Sequence, residues 1–313
     1  MRILYDLDHL DVIKNPVVTT GSFDGVHIGH KTILNRLNEI AANIGGESVL
    51  ITFHPHPRKV LFPESAGKTL LLINSQKEKI ELLRKTGLDN LIILNFTREF
   101  SQIPSIDFIR NILVGKLRAK KVVIGFNHHF GHNREGDFEY LYELGQYYNF
   151  GVEEIPEQDI HNETVSSTLI RKALLEGKIQ RANAYLDHHY IIISRLYPGS
   201  ETCKKINFKT LRVKIEEENK LVPCDGVYAV SVLVEDEYYK GILNIKNSLP
   251  LEFRKIDEIT IDIHLFDADV DLAGKTATVF FAKRIRDELA FSCDEEMQQQ
   301  LKSDLREVEE LIY

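Results

Sequence analysis

The sequence is poor in cysteine. It has three cysteines among 313 residues, Cys203, Cys224 and Cys293. They are odd in number and far apart, and no two form a C-x-x-C pair, which argues against a disulfide scaffold and a zinc ribbon. This usage is typical of a reducing compartment, so we expect a cytoplasmic protein.

Long hydrophobic runs and an excess of basic residues are also missing. No apolar run approaches the ~18–20 residues that span a bilayer, and Arg2, Asp6 and Asp8 lie near the start, so neither membrane insertion nor secretion is expected. The net charge of −8 argues against nucleic-acid binding. An anionic ligand must be held by local groups, and the oligomeric state stays open.

The first half of the chain predicts an α/β domain. Short β-like runs alternate with amphipathic segments, which is the pattern of a parallel sheet covered by helices. One helix is predicted to start at Ser75, because Ser75 and Glu78 have the spacing of a capping box. The predicted strands are 17–20, 49–53, 91–96, 122–126 and 152–155.

The pattern changes near Asp187. From Tyr190 onward, β-branched and aromatic runs separated by short polar turns predict an antiparallel barrel, and a helix with Ser292 and Glu295 as its capping box ends the chain. We therefore predict two domains, residues 1–187 and 188–313. The predicted strands are 191–193, 208–215, 226–234, 238–245, 259–266 and 276–281. The apolar stripe of the last helix, expected to pack on the core, is Met297, Leu301, Leu305 and Val308.

A glycine-rich turn, TGSFDGVHIGHKT, follows the first predicted strand. It places His27 and His30 on one face of a first helical turn. The free N–H groups of a helix start and two imidazole donors suit a polyphosphate, and Gly29 lets a phosphate approach the backbone. The glycine spacing excludes a Walker A loop and G-x-G-x-x-G. Two surface histidines in a helix cap are the competing interpretation.

Two further motifs follow predicted strands, at the sheet edge where α/β proteins bind ligands. His54-Pro55-His56-Pro57 is rigid, and would form either a wall for adenine or another flat ring, or a plain turn. Asn127 would contact the nucleotide, while Phe126 and Phe130 would pack or stack.

A third motif, Ser166-Ser167-Thr168, opens an amphipathic segment. Its hydroxyl and N–H groups would hold the β- and γ-phosphates of a nucleotide, and Arg171 would add charge. Ordinary helix capping explains the serines and the threonine equally well.

The histidines of the first half also raise the question of a metal site. Histidines three residues apart can bind zinc, and Asp24 could supply the carboxylate that a hydrolytic site usually needs. Magnesium carried by a nucleotide is the stronger expectation, and no metal held by the protein itself is predicted.

Together the motifs resemble the prokaryotic bifunctional riboflavin kinase/FMN adenylyltransferases, also called FAD synthetases. Four blocks carry the resemblance: Gly21 to His30, Thr52 to Pro57, Ile124 to Gly131, and Ser166 to Arg171. The resemblance implies a Rossmann-like HxGH nucleotidyltransferase domain with a parallel sheet, followed by a small antiparallel β-barrel with a C-terminal helix. It also implies that FMN attacks the α-phosphorus of magnesium-ATP, so that FAD forms and pyrophosphate leaves without a covalent enzyme intermediate.

The resemblance assigns roles residue by residue. Charge that develops at the reacting phosphate is expected to be neutralised by His27, His30 and Arg171, together with magnesium and helix termini. ATP is expected to contact Gly21, Phe23, Asp24, Gly29, Ser166, Ser167 and Thr168. The flavin is expected to contact Phe53, His56, Pro57, Asn127 and Phe130.

The second half resembles the family's riboflavin kinase module, mainly through Asp225 to Val230, Asn244-Ile245 and the final helix. The family carries a glycine-phenylalanine-proline-threonine-alanine-asparagine run for magnesium-ATP. This chain keeps Phe208 and Thr210 but has Arg212 in place of the asparagine. A guanidinium cannot coordinate a cation.

Two other kinase positions depart from the family. The catalytic glutamate corresponds to Asp262, which is shorter by one methylene, and the glycine after Asn-Ile corresponds to Lys246. The resemblance implies that the module phosphorylates riboflavin to FMN, with Thr210 in contact with ATP and Asp262 as the base. These departures weaken that expectation. Two alternative functions stay open: a non-catalytic flavin-binding regulator, and a nucleotidyltransferase for another phosphorylated acceptor.

Overall fold

Contacts between residues divide the chain into two compact units. The computed structural model describes residues 1–8, 12–65, 69–126, 128–160, 163–199, 210–247, 258–266, 271–289 and 291–311. The first unit comprises Met1–Leu70 and Lys79–Ser166, and the second comprises Leu71–Glu78 and Ser167–Tyr313. The contacts thus group the segment Leu71–Glu78 with the second unit, which no sequence pattern indicated. The domain boundary between residues 187 and 188 stays a prediction.

The first unit is built on a parallel sheet. Its strands are β1 (Arg2–Leu4), β2 (Val17–Thr20), β3 (Ser48–His54), β4 (Asn90–Asn95), β5 (Lys121–Gly125) and β6 (Gly151–Ile155). They lie in the order β1-β4-β3-β2-β5-β6, and all neighbours pair in parallel. The five predicted runs are therefore confirmed as β2 to β6. The sequence did not predict β1 or the small hairpin of β7 (Asp159–Ile160) and β8 (Glu163–Thr164).

Helices cover both faces of this sheet. They are α1 (Ile28–Asn43), α2 (Pro57–Leu61), α3 (Gln76–Arg84), α4 (Ser105–Asp107), which continues as a π-helix (Phe108–Lys116), and α5 (Phe138–Tyr148). Consecutive residues of β3 point to opposite faces. Leu50 packs in one core cluster with Leu34 and Leu37 of α1, and Ile51 packs in another with Phe108 of the π-helix. Burial on both faces explains the continuous apolar runs of these strands.

The second unit contains a closed antiparallel barrel. Its elements are α6 (Ser167–Leu175), α7 (Ile179–Leu186), β9 (Tyr190–Pro198), β10 (Leu211–Val213), β11 (Gly226–Val234), β12 (Glu237–Asn247), β13 (Ile259–Leu265), β14 (Thr276–Arg286) and α8 (Asp294–Leu311). The strand order is β10-β13-β12-β11-β14-β9, which confirms the predicted barrel. The start of the predicted run 208–215, including Phe208, and Cys203 lie outside the described residues. Nowhere in the described ranges is a helix long and apolar enough to cross a membrane.

The last helix packs on the outer face of the barrel. Val308 is fully buried in a cluster with Val227, Ala229 and Ile242, and Leu305 packs against it, which confirms the role predicted for this part of the stripe. The capping prediction was one residue off. The helix α8 begins at Asp294, and the Ser292 backbone N–H donates to the carboxylate of Glu296 at 3.0 Å, where the prediction had Glu295.

A buried ion pair lies inside the second unit. Lys220 Nζ is 2.7 Å from Glu78 Oε2, and both side chains are almost fully buried, with exposed fractions of 1% and 2%. Glu78 also accepts the Ser75 backbone N–H, while the Ser75 hydroxyl accepts the Glu78 N–H, so the capping box predicted at α3 is confirmed. The Ile193 N–H donates to the other oxygen of Glu78, at 3.0 Å. This network joins Leu71–Glu78 to the barrel residues of the same unit.

Candidate active site

The turn between β2 and α1 has an unusual backbone. Phe23, Gly25 and Val26 all have positive φ, at 49°, 96° and 44°. A β-branched residue such as Val26 rarely adopts this region, and such strain costs on the order of 1–3 kcal/mol and clusters at functional sites. The turn therefore has a conformation that the surrounding structure must hold in place.

Three rings stack along this turn. The His27 and His30 ring centroids are 3.6 Å apart at 22°, and the Phe23 and His30 centroids are 4.4 Å apart at 25°. Two glycines lie close against the stack: a Cβ at Gly29 would lie 3.3 Å from the His27 ring and a Cβ at Gly21 would lie 3.0 Å from the Phe23 ring, so a larger residue at either position would press on these rings. His27 is the residue that precedes the first turn of α1. The two imidazoles thus lie side by side at the start of α1, as the sequence predicted.

The stack carries an uncharged His30 at neutral pH. Burial is the main reason that the pKa of His30 lies well below its usual value, and the neighbouring His27 and Lys79 lower it further. Lys79 is a buried lysine of α3, and its Nζ donates to the Thr52 hydroxyl at 3.2 Å and to the Ser22 carbonyl at 3.4 Å. The uncharged His30 ring has one N–H group that can donate a hydrogen bond.

A large cavity opens beside the stack. It has a volume of about 970 Å³. The strand order reverses between β2 and β5, and both strands contribute lining residues through their carboxyl ends, at Thr20 and Gly125. A crevice at such a switch point is where open α/β sheets bind ligands. The site therefore lies where the parallel topology predicts it.

Aromatic rings line another part of the same cavity. The ring centroids of Phe53, Phe96 and Phe100 are 5.4–5.8 Å apart from one another. Phe108 lies 6.4 Å from both Phe100 and Phe130. These side chains form an apolar wall suited to a flat aromatic ligand.

The loop that carries Phe130 is held in place by local contacts. The Glu135 carboxylate accepts the backbone N–H of Ser105 at 2.7 Å and its hydroxyl at 3.0 Å, and these bonds lower the pKa of Glu135. A Cβ at Gly136 would lie 2.6 Å from the Phe130 ring, so only glycine fits there. His128 stacks on Phe130 at 6.2 Å, and burial lowers the pKa of His128 to about 4.

Most of the residues predicted for the first domain's site lie around this cavity. The lining includes Gly21, Phe23, His27, Gly29, His30, Phe53, His56, Pro57, Phe130 and Ser166. His56 has a second role, because its Nδ1 accepts the Arg58 N–H at 3.2 Å and caps α2. Asp24 is buried within the turn and does not line the cavity. Asn127 lies outside the described residues.

Three other predicted residues belong to the second unit. Ser167 and Thr168 form the first turn of α6, which confirms the predicted helix start. The Nε of Arg171 donates to the Leu71 carbonyl at 2.8 Å. In the part of the chain that the structure describes, no group of three or more His, Cys, Asp or Glu side chains is arranged to hold a metal ion.

The sequence analysis missed the cavity residues Phe96 and Phe100, and also Lys79, which lies next to the turn. Phe96 and Phe100 follow the carboxyl end of β4, so the sheet-edge rule that selected His56 could have selected them too. Lys79 gave no such signal, because a lysine in an amphipathic helix is expected to face solvent.

The kinase positions of the second unit form an ion pair. Arg212 in β10 and Asp262 in β13 are directly opposite in the strand register. The Arg212 guanidinium donates to both oxygens of Asp262, at 2.9 and 3.1 Å. Asn244 of β12 faces Asp262 from the other side, while Lys246 is largely exposed. Two of the three residues that depart from the family, Arg212 and Asp262, thus bind each other.

A parallel sheet with a histidine turn and a helix N-terminus at its switch point defines a nucleotidyltransferase of the α/β class. Residues 11–169 match the family model described as FAD synthetase, and residues 186–312 match the one described as riboflavin kinase. The chain belongs to the family of bifunctional riboflavin kinase/FMN adenylyltransferases. The riboflavin kinase match covers the second half of the chain, including Arg212, Lys246 and Asp262. These residues had weakened the expectation of kinase activity, and the match supports that activity.

Known relatives agree with this assignment. A bifunctional riboflavin kinase/FMN adenylyltransferase of Buchnera aphidicola is 31% identical, covering 97% of this chain and 96% of the relative. The proteins of that name from Listeria monocytogenes and Escherichia coli are each 30% identical, covering 93% and 92% of this chain and 90% of each relative. A solved structure described as a macrolide-efflux protein from Streptococcus pneumoniae has a TM-score of 0.86 at 25% identity and covers 97% of both chains.

Proposed function

We propose that the first unit transfers the adenylyl group of ATP to FMN. An oxygen of the FMN phosphate attacks the α-phosphorus in line, and the bond between that phosphorus and its bridging oxygen breaks. Pyrophosphate leaves with the electron pair of that bond, and the products are FAD and pyrophosphate. The observation that carries the proposal is one cavity of about 970 Å³ whose lining combines the histidine stack with an aromatic wall.

The phosphate side of this reaction is assigned to the turn. His27, His30 and the N–H groups of α1 hold the phosphates, and Gly29 keeps the backbone accessible. Because His30 is uncharged, it stabilises the transition state through a hydrogen bond. The magnesium that accompanies ATP supplies positive charge at the phosphates when it is bound.

The flavin side is assigned to the aromatic wall. Phe53 and Phe130 offer ring faces or edges to the isoalloxazine, and His56 with Pro57 closes the wall beside them.

We assign no contact with nucleic acid, and we place the protein in the cytoplasm on the basis of its cysteine usage. The ligands are then small nucleotides and flavins.

Chromatography of flavin products tests the proposal. The pure protein is incubated with magnesium-ATP and FMN, and FAD and pyrophosphate are expected in equal amounts. Bound flavin without FAD would support the non-catalytic regulator instead. Pyrophosphate release with another phosphorylated acceptor, but none with FMN, would support the different nucleotidyltransferase.

We also infer that the second unit phosphorylates riboflavin. The support is the family match over residues 186–312 and the bidentate Arg212–Asp262 pair, which fixes the orientation of the Asp262 carboxylate. The oxygen of the riboflavin hydroxyl attacks the γ-phosphorus of ATP, and Asp262 accepts the proton of that hydroxyl. ADP leaves. Arg212 positions the carboxylate from the neighbouring strand.

The variant Asp262→Asn tests this role, because an amide of the same shape does not accept that proton. FMN formation from riboflavin is expected to fall by at least ~10², while FAD formation from FMN is unchanged. Asp236→Asn, in the exposed turn between β11 and β12, is the matched control. If Asp262→Asn phosphorylates riboflavin at the wild-type rate, Asp262 is not the base. If the wild-type protein forms no FMN from riboflavin, the chain has adenylyltransferase activity only.

A further inference from the structure

A buried cation lies beneath the phosphate-binding turn. Lys79 is 7% exposed, and its Nζ is within hydrogen-bond distance of two polar oxygens of the turn region, on Ser22 and Thr52. Burying a lysine is costly unless it is well bonded. The adenylyl-transfer assignments above give Lys79 no role.

Lys79 binds the turn at the point where its strained backbone begins. Its Nζ donates to the carbonyl of Ser22, and the Thr52 hydroxyl donates to the same carbonyl at 3.2 Å. The next residue, Phe23, has positive φ and carries the ring that stacks on His30. The anchored carbonyl is therefore adjacent in the chain to the histidine stack.

We propose that Lys79 is a positioning residue for adenylyl transfer, which fixes the Ser22 carbonyl and through it the Phe23–His30–His27 stack. The inference rests on the function proposed for the first unit. Lys79 touches no substrate in this assignment and acts only through the turn. Displacement of the stack by ~1 Å is expected to lower the rate of FAD formation about 10²-fold.

The charge of Lys79 has a second effect on the same stack. His30 is surrounded by His27 from its own turn and by Lys79 from α3, and both disfavour its protonation. Removing the lysine charge moves the pKa of His30 upward, toward its usual value. If transfer requires uncharged His30, the acidic limb of the pH–rate profile then moves to higher pH.

The test compares Lys79→Met with Lys77→Met, a substitution of an exposed lysine in the same helix. Lys79→Met is expected to fold, because the Ser22 carbonyl keeps the Thr52 hydroxyl as a donor. In Lys79→Met, kcat for FAD formation is expected to fall 10- to 100-fold with a smaller change in KM for ATP. Lys77→Met is expected to match the wild type.

Two further measurements separate positioning from simple support of the fold. NMR titration of His30, assigned with His30→Gln, should give a higher pKa in Lys79→Met, whereas Thr52→Val should lower kcat without raising that pKa. These titrations do not need turnover, so they stand apart from the test of FAD synthesis. Wild-type kcat and His30 titration in Lys79→Met would overturn the proposal. A fall in kcat that only follows the melting temperature, with His30 unchanged, would overturn it as well.

Discussion

The buried pair of Lys220 and Glu78 allows a stability prediction of known sign and size. Lys220 Nζ donates to Glu78 at 2.7 Å, to the Ile73 carbonyl at 2.6 Å and to the Ile191 carbonyl at 3.1 Å, and it lies 4.3 Å from the centre of the Tyr190 ring. The substitution Lys220→Met keeps the volume but removes the cation. It leaves the Glu78 carboxyl group and two carbonyl groups in the interior without this donor.

The cost is expected to be large. Removing one partner of a buried ion pair typically costs about 3–5 kcal/mol, because the remaining charge is uncompensated. Domains of about 150–250 residues lose roughly 2–4 °C in Tm per kcal/mol, so the transition of the second unit is expected to fall by roughly 6–20 °C. Two backbone N–H groups still bind Glu78, which keeps the cost within this range.

Calorimetry of the full chain measures this change, and a surface pair supplies the control. Lys178 and Glu176 are also 2.7 Å apart, but their side chains are 54% and 38% exposed, so Lys178→Met is expected to leave Tm unchanged. The double variant Glu78→Gln/Lys220→Met should recover part of the loss, with a coupling of about 0.5–3 kcal/mol. A loss below about 1 kcal/mol in Lys220→Met, or strict additivity in the cycle, would refute the reasoning.

Two predictions concern histidines of the first unit. His30→Ala removes one ring of the stack and one phosphate donor, so FAD synthesis is expected to fall by ~10²–10³ with an unchanged circular dichroism spectrum; retained turnover would contradict the assigned role. The pKa of His128 is lowered to about 4 by burial, with His129 and Arg134 adding to the effect. Below pH ~6.5, His128 binds a proton in the unfolded chain but not in the folded chain. The free energy of unfolding therefore falls as the pH drops toward 4. Urea unfolding across that range should show a shallower decline in His128→Phe, and an equal decline would exclude His128 as its cause.

The local patterns of the sequence predicted strands β2 to β6, the barrel and the position of the histidine turn. The strand Val17–Thr20 was predicted with its observed bounds, because a strand covered on both faces needs an unbroken apolar run. The Ser75–Glu78 capping box was predicted because its two bonds join residues three apart. His27 and His30 were found because glycines and a helix start give that turn a recognisable spacing.

Other features were decided by tertiary structure alone. The segment Leu71–Glu78 belongs to the second unit by its contacts, among them the ion pair of Glu78 with Lys220, which is far away in the sequence. Arg212 was read as a lost metal ligand, yet the barrel register places it opposite Asp262 and makes it a partner of that carboxylate.

The sequence by itself determined the class of each domain, the order of the strands along the chain and the histidine turn, since all of these depend on periodicity or on neighbours in the chain. The tertiary structure decided which polar side chains are buried and what they bind. Lys79 shows the reason: a lysine on a helix is compatible with solvent or with a carbonyl inside the protein. Only the packing of that helix against the turn selects between them.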